Sequence, residues 1–114
     1  MTERIQAQYL LRIHVHWPIR TVGNDKRPPI EAETEDVSSD GFSLRMKGSN
    51  FDVNEEIECL LFIPTFHPEI PNESLILRCN ARVVCISNPD VDGIVLINCR
   101  IERYSVDRRF GFRC

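Results

Sequence analysis

Residues 75–86 read LILRCNARVVCI, and their order decides what kind of fold this chain adopts. Leu75, Leu77, Cys79, Ala81, Val83 and Cys85 fall on one side, while Arg78, Asn80 and Arg82 fall on the other. A period of two belongs to a β-strand, whose successive side chains point to opposite faces. One apolar and one charged face mark a strand with its inner side in a core and its outer side in water.

The same signature recurs on both sides of that stretch. Upstream, Ile13, Val15, Trp17 and Ile19 alternate with His14, His16, Pro18 and Arg20. IEAETED, residues 30–36, sets Glu31, Glu33 and Glu35 on one face. Phe42, Leu44 and Met46 then alternate against Ser43, Arg45 and Lys47. Ile57, Cys59, Leu61 and Ile63 share a face, and Leu60 with Phe62 makes the opposite one partly apolar. Downstream, Val95, Ile97, Cys99 and Ile101 form the last buried row. The separators TVGNDKRPP, KGSNFDVNE, TFHPEIPNES and SNPDVDG carry the Gly, Pro, Asn and Asp chemistry of turns.

Six such strands in a chain of 114 residues predict one all-β domain, a small antiparallel barrel or sandwich. Closing the sheet removes the exposed edges that so small a domain would otherwise present. Residues 1–11 precede the first strand and read as a flexible N-terminal arm, with the barrel over 12–103. Residues 104–114 read as a C-terminal tail or a short helix capped by Ser105.

Composition excludes several classes of function. A formal charge of −3 argues against general binding to DNA or RNA, which requires a basic surface. No apolar run reaches membrane-spanning length, and the N-terminus MTERIQAQYLL has no signal-peptide core. Five cysteines (59, 79, 85, 99 and 114) are an odd set without metal-knuckle spacing. A reducing, cytoplasmic setting is expected, with the first four cysteines as small apolar core residues and Cys114 as an exposed thiol. His14 and His16 have no third ligand assigned by sequence and read as solvent-facing. There is no phosphate-cradling loop and no nucleophile elbow, so no catalytic residue, metal or cofactor is expected.

One polar stretch exceeds what a turn requires. EDVSSDGFS, residues 35–43, crowds acidic groups, hydroxyls and a glycine between two strands. Within it, Asp36, Ser38 and Gly41 form D-x-S-x-x-G, and Arg12 stands immediately before the first strand. In this combination the chain resembles the PilZ domain family, over roughly residues 4–103. The family pattern is an R-x-x-x-R arm, a strand, then D/N-x-S-x-x-G one hairpin later in a six-stranded antiparallel barrel. Here the arm reads Gln8-Tyr-Leu-Leu-Arg12, so glutamine replaces the first arginine, and Arg4 lies one further step of four upstream.

The resemblance implies a bacterial receptor domain for the second messenger cyclic di-GMP. Its ligand-binding set would be Arg12, Asp36, Ser38 and Gly41, with Gln8 or Arg4 from the arm. The chemistry suits such a ligand. A guanine presents N7 and O6 to an arginine fork, and its N1–H and N2–H donors to a carboxylate. Arginines also neutralise phosphates, and a serine hydroxyl with backbone N–H groups near Gly41 would reach phosphate or ribose oxygens, glycine permitting a positive φ there. The resemblance further implies an arm that orders on ligand and signals to an unidentified downstream protein. The alternative is a PilZ-like protein-interaction module that no longer binds nucleotide, an idea prompted by Gln8 and by outward-facing Leu60 and Phe62.

Overall fold

The computed structural model describes residues 12–48, 51–64 and 73–110. Six strands follow in chain order: β1 Pro18–Thr21, β2 Glu31–Ser38, β3 Gly41–Lys47, β4 Glu56–Pro64, β5 Glu73–Ile86 and β6 Ile94–Phe110. All neighbours are antiparallel, and the order β1-β2-β3-β6-β5-β4 closes on itself through β1 and β4. The expected all-β barrel is what forms. No helix among the described residues is long and apolar enough to cross a membrane.

Register explains the core. Phe42 lies across from Cys99, Leu44 from Ile97 and Met46 from Val95. On the other wall, Ile57 faces Ala81, Cys59 faces Cys79 and Leu61 faces Leu77. These inward rows bury Ile19, Phe42, Leu44, Leu61, Val83 and Ile97 almost completely. A barrel this small is filled by side chains, so alternation along each strand is what supplies its interior. Cys59, Cys79 and Cys99 are part of that filling. Their neighbours hold two of these thiols protonated: the hydrogen bond with Cys79 and burial push Cys59 up, and burial pushes Cys99 up to about 12.

Three expectations are corrected by the backbone. The first strand does not run from Ile13, because regular pairing begins only at Pro18. Ile13 makes an isolated bridge to Val37 and is half exposed. Between them, Thr34 takes the place of a ladder. It is fully buried, its hydroxyl donates to the Val15 carbonyl and accepts from the Trp17 N–H at 3.0 Å. Second, Cys85 is exposed and not inward. The register shifts between Val83 and Cys85, leaving Val84 as an extra residue that rolls Cys85 to the outer face opposite Asn98. Third, residues 104–110 continue β6 along β5 and form no helix.

Candidate functional site on the outer face of β2, β3 and β6

EDVSSDGFS is mostly strand. Glu35–Ser38 belong to β2 and Gly41–Ser43 to β3, so only Ser39 and Asp40 make the turn of a two-residue hairpin. The hairpin is built around a β-bulge. Thr34 pairs with Leu44 but Asp36 pairs with Ser43, leaving Glu35 as the extra residue. Strict alternation from buried Thr34 would have turned Asp36 into the core. The bulge instead turns it outward beside Ser43 and restores Val37 to the inner row opposite Phe42. The Glu35 carboxylate lies 3.9 Å from both His16 and Arg45.

Arg12 reaches this hairpin through backbone geometry. The Ile13 N–H donates to the Val37 carbonyl at 2.8 Å, and the Val37 N–H returns a bond to Ile13 at 2.9 Å. This reciprocal pair sets Arg12 over Asp36, and its Nη2 lies 2.7 Å from Asp36 Oδ1. The same nitrogen lies 3.4 Å from Ser43 Oγ, whose hydroxyl is bonded to the Asn98 side chain. A charge-assisted bond at that length is a strong contact, although Arg12 remains half exposed and available to a ligand.

Around this pair lies a cavity of about 440 Å³ lined by Arg12, Asp36, Asp40, Gly41, Asn98 and Arg100, with Val84 and Cys99. Two positive and two negative side chains therefore share one wall with an amide that both donates and accepts. Gly41 is there for a steric reason. A Cβ at this position would lie 2.1 Å from the Cys99 carbonyl oxygen, so only glycine allows β3 to approach β6 this closely. The expected positive φ is not its role: among described glycines only Gly48 and Gly93 adopt one.

The structure thus brings together three of the residues expected from sequence: Arg12, Asp36 and Gly41. Ser38 turns aside. Its hydroxyl donates to Asp40 Oδ1 at 2.6 Å and stays with its own turn. Gln8 and Arg4 lie outside the described residues. Ser43, Asn98 and Arg100 were not expected from the sequence. Asn98 and Arg100 sit on the outward positions of the row Val95, Ile97, Cys99, Ile101, a signal that marks a polar face without naming its neighbour. Only the β3–β6 pairing, which sets Ser43 across from Asn98 and Gly41 across from Arg100, puts them beside the hairpin. His14 and His16 are exposed, and no metal-holding cluster occurs among the described residues.

The closed six-stranded antiparallel barrel is PilZ-like in fold. Among solved structures the chain is similar to the Bacillus subtilis inhibitor of motility (MotI/DgrA), with a TM-score of 0.69 and 13% identity. The match covers 85% of this chain and 43% of that one, so this chain spans less than half of that protein's length. At this identity the likeness is one of fold. No family model and no curated protein matches the sequence.

Proposed function

We propose that this chain is a cyclic di-GMP receptor domain whose nucleotide sits on the outer face of β2, β3 and β6. The observation that carries the reading is the convergence of Arg12, Asp36, Asn98 and Arg100 on one cavity of a PilZ-like barrel. Asp36 accepts the N1–H and N2–H of a guanine. Arg12 donates its fork to the N7 and O6 edge or to a phosphate oxygen. Arg100 supplies a second cation for the doubly anionic backbone, and Asn98 meets either donor or acceptor. Gln8 and Arg4 extend this set from the arm, which orders over the ligand and passes that change to a partner protein.

Titration calorimetry of the whole chain with cyclic di-GMP tests the reading. The expected result is saturable binding that Asp36→Ala and Arg100→Ala each weaken by about tenfold or more, as loss of a charge-assisted contact does. No heat of binding with nucleotide at about 1 mM would contradict it.

A second reading is favoured by one observation. Leu60, Phe62 and Ile76 line an outward cavity of about 360 Å³ together with Arg20 and Arg78. Apolar side chains there suit a protein-interaction module that works without nucleotide. Binding by a Gln8→Arg variant, with none by the natural chain, would favour this second reading.

A further inference from the structure

Asp40 shares the cavity wall with Asp36, although it falls on an unspecified position of D-x-S-x-x-G. With Ser39 it forms the tip of the β2–β3 hairpin, and two contacts fix it there. Its carbonyl accepts the Ile101 N–H of β6 at 2.8 Å. Its Oδ1 accepts the Ser38 hydroxyl at 2.6 Å, so the serine that turns from the cavity steadies a carboxylate that lines it. The other carboxylate oxygen, Oδ2, takes no hydrogen bond among the described residues.

Nitrogen donors share the wall with that oxygen. Gly41, the next residue, lies across from Arg100, and Asn98 stands on the same outer face of β6. The Asn98 side-chain oxygen accepts the Ser43 hydroxyl, which leaves its NH2 for the cavity. A carboxylate beside a nitrogen donor complements the Watson–Crick edge of guanine, whose N1–H and N2–H donate while O6 accepts. Adenine presents an acceptor at N1 instead, and a carboxylate has no proton to give it.

We propose that Asp40 reads the second guanine of the nucleotide, as Asp36 reads the first, and so selects a cyclic dinucleotide with guanine at both positions. This inference rests on the proposal that the cavity holds cyclic di-GMP. Spacing supports two readers over one. Asp36 and Asp40 are four positions apart in the chain, on the order of 10 Å along the hairpin. That is too far for one base edge and suits two bases of one molecule. The cations fit the same division, because Arg12 is already bonded to Asp36 and Arg100 is left for the phosphates.

Titration calorimetry of the whole chain tests it with cyclic di-GMP, the mixed cyclic guanine–adenine dinucleotide and cyclic di-AMP. The natural chain is expected to bind cyclic di-GMP about tenfold or more tighter than the mixed dinucleotide. In Asp40→Ala those two ligands should bind within about twofold of each other. Both should still bind tighter than cyclic di-AMP, since Asp36 continues to read one guanine. Asp40 is exposed and its Ile101 bond uses only backbone, so the variant should unfold at the natural temperature. A natural chain without the preference, or an Asp40→Ala variant that keeps the natural ratio, would overturn the inference while leaving cyclic di-GMP binding in place. Absence of binding by all three dinucleotides would overturn the proposed function, and this inference with it.

Discussion

Arg12 and Asp36 meet in an ion pair whose arginine is half exposed, and that position separates the role of Arg12 in binding from its role in folding. Ion pairs open to solvent contribute only about 0–1 kcal/mol to stability. Arg12→Ala should therefore leave the midpoint of thermal unfolding nearly unchanged while weakening nucleotide binding. Thr34→Val is expected to behave differently. It leaves the Val15 carbonyl and the Trp17 N–H without their buried partner, at a cost of about 1–3 kcal/mol. It also loosens the segment that carries Arg12, so urea unfolding and nucleotide affinity should both suffer. Gly41→Ala sets a methyl group 2.1 Å from the Cys99 carbonyl and forces β3 from β6. A loss of about 2 kcal/mol or more is expected by urea unfolding, since overpacked sites rarely relax fully.

At the scale of elements, two bulges build the site. Glu35 turns Asp36 outward, and Val84 turns Cys85 outward and itself joins the cavity wall. Neither was legible in the sequence, because a bulge interrupts a period of two without announcing where. The alternation of Leu75 to Val83 and of Val95 to Ile101 was legible, since it follows from burying one face of each strand. D-x-S-x-x-G and Arg12 could be related through the family pattern, whereas Asn98 and Arg100 depended on knowing which strand lies beside β3. The end of β6 was misread for a related reason: Ser105 followed by charges resembles a helix start, but pairing with β5 prevails over local preference.

One loop contact at this scale responds to pH. Burial pushes Glu55 up, but the bond from Arg27, the Asp52 N–H and the nearby cations outweigh it and hold the carboxyl below its ordinary 4.5. A lowered folded value means that the ionised form stabilises the fold. That contribution is complete above the unfolded value and disappears as pH falls through the folded one. Urea unfolding from neutral pH downward should show the natural chain's advantage over Glu55→Gln shrinking through this acid range. An advantage that stays constant would remove Glu55 from the account of acid sensitivity.

For the whole molecule, the closed barrel holds Asp36, Asn98 and Arg100 on its wall beside Arg12. Fold alone does not assign a ligand, since function rests in the site and not in the barrel. The central claim is that this wall reads cyclic di-GMP through Asp36. Calorimetric titration of the natural chain beside Asp36→Ala tests it most directly. Saturable binding by the natural chain, weakened about tenfold or more in a variant that unfolds at the same temperature, is the predicted result. Equal affinity in the two proteins, or no binding in the natural chain, would contradict it.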